Sequence, residues 1–171
     1  MVHNLTPVNP VVAAAVFAKD LDELWRTGLP VRHGWQLQHH DTLHSIVVLP
    51  GIREDGTIDH YHVRLGAEYY DAWPPTVTFL DPADNTPAKQ DTRWLPKIAS
   101  APWMGIHGAY GYPDGKPRQL VCYTFNAHYY QTDHSPKESE RWEQGRHTLA
   151  ATLHRLAEVL RQPYYQGPSK Q

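Results

Sequence analysis

The stretch that most limits the fold is Tyr70-Asp71-Ala72-Trp73-Pro74-Pro75-Thr76-Val77-Thr78-Phe79. Pro74 and Pro75 fix φ at about −65° and offer no backbone N–H, so the chain here is extended and rigid rather than helical. Thr76 to Phe79 then alternates. Val77 and Phe79 share one face of a strand, and Thr76 and Thr78 the other. An aromatic corner therefore leads directly into a short strand. Taken alone, the ten residues also fit a proline-rich loop entering an ordinary edge strand. The remainder of the chain decides between these readings, because it places the lone cysteine and a long apolar stripe after the corner.

Upstream, Asn9-Pro10 predicts a helix start, with Asn9 as N-cap and Pro10 in the first helical position. Val16, Phe17, Leu21, Leu24 and Trp25 recur at helical spacing, and Gly28 and Pro30 end the pattern. A strand-rich middle follows. His33 to His40 reads as a strand with Trp35 and Leu37 on one face. His44 to Leu49 reads as a second, ended by Pro50-Gly51. Tyr61, Val63 and Leu65 alternate with His60, His62 and Arg64 in a third, and Asp55-Gly56 signals the turn before it. A helix followed by a meander of short strands predicts an α+β fold, with an antiparallel sheet covered by helix on one face.

Residues 81–119 carry Pro82, Pro87, Pro96, Pro102, Pro113 and Pro117, together with Gly105, Gly108, Gly111 and Gly115. This predicts a long irregular insertion, of the kind that serves function or moves. Trp94, Trp103, Met104 and Ile106 indicate that part of it packs down. Leu120 to Tyr130 then reads as one continuous strand. Val121, Tyr123, Phe125, Ala127 and Tyr129 fall on one face. Cys122, Thr124, Asn126 and His128 fall on the other. A free cysteine is commonly a small buried hydrophobe, but this alternation sets Cys122 on the polar face. Ser135-Pro136-Lys137-Glu138 predicts a second helix through a capping box, with Trp142, Leu149, Leu153, Leu156 and Leu160 as its stripe and Gln162-Pro163 as its stop. Tyr164 to Gln171 reads as a loosely ordered polar tail.

No repeat or second boundary is visible, so the 171 residues read as a single domain, 1–171, with a hydrophobic content of 40% that suits a buried core. No apolar run is long enough to span a membrane, and no leader pattern opens the chain. One cysteine fits a reducing, cytoplasmic setting. A net charge of −2, spread along the chain, gives no nucleic-acid surface.

The order of helix, meander, proline corner, cysteine and amphipathic helix resembles the ubiquitin-conjugating (E2) fold over about residues 10–167. Tyr70-x-x-x-Pro74-Pro75-x-Val77-x-Phe79 is similar to the family's signature of a tyrosine, a Pro-Pro pair and a Val-x-Phe strand. Val48-Leu49-Pro50-Gly51 with the Gly56 loop resembles the hairpin before it, and Leu153 to Pro163 resembles the helix after the active site. The chain also departs from the family. Cys122 follows Phe79 by 43 positions, and no His-Pro-Asn precedes it; His107-Gly108-Ala109 is the nearest His-containing piece. Little follows the second long helix. These features resemble the trimmed E2-like proteins of bacterial conjugation operons, several of which serve antiphage defence.

The resemblance implies that Cys122 carries a ubiquitin-like protein as a thioester. It would receive it from an E1-like activating enzyme and pass it to an amine of a target protein, with no cofactor. An oxyanion forms on attack and needs a donor. The family's tripeptide asparagine is missing, which leaves Asn126, His107 or His128. Asn126 is the favoured one, because it lies on the Cys122 face, but it is about 13 Å away along a straight strand, so a bend is needed to bring the two together. Asp133 or His134 would position the incoming amine or lower its pKa; His134 is equally a surface residue. Two other functions remain open. One is an E2 variant that binds a ubiquitin-like protein without forming a thioester. The other is a metal-binding protein using His60 and His62 with His39, His40 or His44, although no three-ligand zinc spacing is present.

Overall fold

The computed structural model describes residues 2–99 and 101–170. Helix α1 (Pro10–Arg26) is capped by Asn9, whose side chain accepts the N–H groups of Val11 and Val12. Thr27 and Gly28 follow, Gly28 at φ +70°, and one turn, α2 (Leu29–Arg32), leads to the sheet. Strands β1 (Gln36–His39), β2 (His44–Ile52), β3 (Ile58–Gly66), β4 (Thr76–Asp81) and β5 (Thr86–Pro87) form an antiparallel meander in that order. Phe17, Leu21 and Leu24 of α1 meet Val47, Leu49, Tyr61, Val63, Leu65, Val77 and Phe79 in the core. The expected α+β layout, antiparallel sheet and N-terminal helix are all present. No helix among the described residues is long and apolar enough to cross a membrane.

The proline corner joins the layers. Tyr70 is fully buried. Its hydroxyl donates to Asp20 of α1 and accepts the Leu149 N–H at the start of the last helix. Pro74 and Pro75 are buried, and the Pro75 carbonyl takes the Ala127 N–H at 3.1 Å. One rigid segment thus holds both long helices and the chain just beyond Cys122. The Tyr70–Asp71 peptide is cis.

Several expectations need correction. Strand β2 does not end at Pro50-Gly51 but runs through both to Ile52. Beyond Val48 no β1 residue pairs with β2, so Pro50 lies where its missing N–H breaks no ladder. Gly51 is needed because a Cβ there would sit 2.8 Å from the rings of Tyr61 and Tyr165. Nor are residues 81–119 irregular throughout. They hold β5, β6 (Pro96–Ile98) and β7 (Gly105–Gly111), and β7 forms an antiparallel hairpin with β8 (Pro117–Cys122). The prolines fall at strand ends and turns, where they interrupt no pairing.

The continuous strand over 120–130 stops at Cys122. The chain turns at Tyr123–Asn126 and makes one helical turn, α3 (Ala127–Tyr130), capped by the Asn126 side chain. The helix expected from Ser135 is a single 3-10 turn at Glu138–Glu140; helix α4 (Leu149–Val159) begins later, with Thr148 as its N-cap. Gly145 at φ +81° breaks the path between them. Trp142 also tucks inward, its indole N–H donating to the Asp71 carbonyl at 2.8 Å. Its apolar companions Leu149, Leu153, Leu156 and Leu160 are buried as expected. The tail is not loose: β9 (Tyr165–Pro168) pairs with β6, and buried Tyr165 donates to Asp59 and meets the Tyr61 hydroxyl.

Candidate functional site

Cys122 ends β8, directly opposite Gly105 of β7. Its strand is positioned without a full ladder to the meander. Two buried carboxamides serve instead along the open edge of β4. Gln119 accepts the Phe79 N–H at 2.7 Å and donates to the carbonyls of Phe79 and Ala88, both at 2.9 Å. Asn126 accepts the Val77 N–H at 3.0 Å and donates to the Val121 carbonyl at 2.7 Å. Buried backbone groups need such partners, and here the side chains that supply them sit on either side of Cys122.

The thiol is half-buried. Its Sγ lies 3.2 Å from His134 Nε2, and His134 Nδ1 lies 2.7 Å from the hydroxyl of Thr132, a fully buried residue. The Tyr129 ring stacks on the imidazole at 4.6 Å and 28°, with Tyr110 at 5.5 Å on a further side. His107 approaches Tyr110 at 5.2 Å. Burial pushes the Cys122 thiol up to about 11. Burial, reinforced by His107, pulls His134 down, and Asp133 opposes that shift. Both shifts have burial as their main cause, and both favour a neutral thiol and a neutral imidazole over a thiolate–imidazolium pair. A neutral imidazole can accept the thiol proton at Nε2 when its own hydrogen is on Nδ1.

The structure brings together Cys122, His134 and, across Tyr110, His107. Asp133 is exposed next to His134. Asn126 does come within a turn of Cys122, through the bend after β8, but it is fully buried and its carboxamide holds Val77, Val121 and the α3 cap. That geometry gives it a positioning task rather than an aim at the thiol. His128 points elsewhere. It lines a cleft of about 1370 Å³ with Arg64, Thr78, Arg118 and Gln119, a cleft whose walls do not include Cys122. Burial pulls its imidazole down to about 4. Thr132 and Tyr129 were not singled out from sequence: a hydroxyl two residues before a histidine is too common a pattern to signal a contact.

Among the described residues no group of three or more His, Cys, Asp and Glu side chains is placed to hold a metal ion. His60 and His62 of β3 do not, among the described residues, form such a group with His39, His40 or His44, and the His44 ring is held by Asp41 and Glu68. No family model matches the chain, and no curated protein is detectably similar to it in sequence.

Proposed function

We propose that the chain is an E2-like conjugating enzyme that carries a ubiquitin-like protein as a thioester on Cys122. The observation that carries this reading is the 3.2 Å contact between Cys122 Sγ and His134 Nε2 at the end of a strand anchored to the proline corner. In this reading Cys122 Sγ attacks the carbonyl carbon of the thioester on an E1-like enzyme. The S–H proton passes to His134 Nε2, and the donor thiol leaves with it as the new C–S bond forms. A target amine then attacks the Cys122 thioester, giving up its proton through the same imidazole as the Cys122 sulfur departs. His107, which meets Tyr110 and lies within electrostatic reach of His134, is the donor this reading assigns to the oxyanion. The sequence resemblance adds the bacterial conjugation setting, with antiphage defence as its purpose.

A binding variant that forms no thioester is the second reading. The half-buried position of Cys122 favours it, since burial raises the thiol instead of activating it. Incubation with ATP and the cognate E1-like and ubiquitin-like proteins separates the two on non-reducing gels. The enzyme gives an adduct that vanishes with thiol and is missing in Cys122→Ala. The variant retains the ubiquitin-like protein in a binding assay and gives no adduct.

A further inference from the structure

Thr132 sits two residues before His134, fully buried, in the turn after α3. Its hydroxyl lies 2.8 Å from the Tyr129 carbonyl and 2.7 Å from His134 Nδ1. A hydroxyl has one proton to give and two lone pairs to receive. A carbonyl can only accept, so the proton goes to Tyr129, the back-bond that threonine makes at the end of a helical turn. Towards His134 the Thr132 oxygen is then an acceptor, and Nδ1 must carry the hydrogen. In a neutral imidazole that leaves Nε2 as the lone-pair nitrogen, and Nε2 is the atom facing Cys122 Sγ. Tyr129 stacked on the ring holds its plane. We infer that Thr132 is a positioning residue which fixes the His134 tautomer, so that Nε2 can take the Cys122 proton during acyl transfer.

The inference rests on the conjugating-enzyme reading for its use, but its chemistry is local. Without the Thr132 acceptor the ring can carry its hydrogen on Nε2. Nε2–H cannot then accept the thiol proton, and a wrong tautomer removes most of a general base's effect. The step is otherwise unchanged. The carbon–sulfur bond to the incoming thioester's own thiol breaks, the bond to Cys122 forms, and one proton moves from Cys122 through His134 to the leaving thiol, with no change of oxidation state.

The test needs neither an E1-like enzyme nor a ubiquitin-like protein. Long-range ¹H–¹⁵N NMR on the whole chain reads the His134 tautomer, with the His134→Asn variant assigning its ring among 12 histidines. Intact mass follows acylation of Cys122 by a small acetylglycine thioester. Wild type and Thr132→Ser are expected to show Nδ1–H. Thr132→Val, which keeps the side chain's shape, should lose that preference and acylate about tenfold more slowly, with Thr132→Ser near the wild-type rate. An Nε2–H ring in the wild type overturns the inference, as does a Thr132→Val protein with unchanged tautomer and rate. If Thr132→Val does not fold, the tautomers of wild type and Thr132→Ser decide. A correct tautomer in a protein that never charges would defeat the enzyme reading and leave this assignment standing.

Discussion

Replacing Gln119 by leucine should cost about 3 kcal/mol of folding stability. The carboxamide is buried between β8 and β4, at 8% exposure. It receives the Phe79 N–H and donates to the Phe79 and Ala88 carbonyls. Leucine fills similar space and makes none of these bonds. The Phe79 carbonyl keeps the Ala88 N–H at 2.8 Å, so the groups left wanting are the Phe79 N–H and the Ala88 carbonyl. Each buried group without a partner costs about 1–3 kcal/mol, and the added apolar burial returns part of the sum. For a chain of this length the net loss lowers the melting temperature by roughly 6–12 °C. Urea denaturation of Gln119→Leu, with exposed Lys116→Ala as control, reads the difference at constant m-value. The same loosening should speed alkylation of Cys122 under native conditions. A loss below about 1 kcal/mol would refute the claim that this side chain, in place of a ladder, holds the cysteine strand to the meander.

Three further predictions follow from buried groups. Burial pulls His128 to about 4, against about 6.5 unfolded. The unfolded chain therefore binds the extra proton between those values, and the stability that a neutral His128 permits is complete above about pH 6.5 and lost as pH falls towards 4. His128→Gln should show a shallower decline across that window, by up to about 3 kcal/mol in denaturation experiments; equal slopes would contradict it. With the Cys122 thiol pushed up to about 11, iodoacetamide labelling should accelerate without a plateau as pH rises through about 7 to 9, whereas a plateau below about pH 7 would reveal a thiolate–imidazolium pair. Tyr165→Phe removes the hydroxyl that meets Tyr61 at 2.6 Å and Asp59 at 2.7 Å. Stranding the buried Tyr61 hydroxyl should cost about 1–3 kcal/mol, and a melting curve matching wild type would refute that tie.

The strongest periodicities in the sequence corresponded to structure. Asn9-Pro10, the α1 stripe and the alternation of Tyr61, Val63 and Leu65 are local signals, and local signals set those elements. The proline corner was legible as rigid, but its bonds to Asp20 and Leu149 are long-range. The errors arose where tertiary contacts overrode local pattern. The Ser135 capping box does not start a helix: the short turn at Glu138–Glu140 begins after Lys137 without a side-chain cap, Trp142 is drawn to the corner and Gly145 turns the chain away. The alternation after Cys122 suggested a strand, yet Asn126 turns inward to satisfy β4. Residues 81–119 looked irregular because prolines at strand ends resemble prolines in loops. At the candidate site, Cys122 and His134 could be named from sequence, while Thr132 depended on a turn that no spacing rule announces.

The most direct test is a charging time course with ATP and active cognate E1-like and ubiquitin-like proteins, comparing wild type, His134→Gln and Cys122→Ala. The chain has one cysteine, so a thiol-sensitive adduct can sit only on Cys122. Wild type should charge, His134→Gln should charge about a hundredfold more slowly, and Cys122→Ala should not charge at all. No adduct on the wild-type protein, with the E1-like enzyme demonstrably active, would contradict the account.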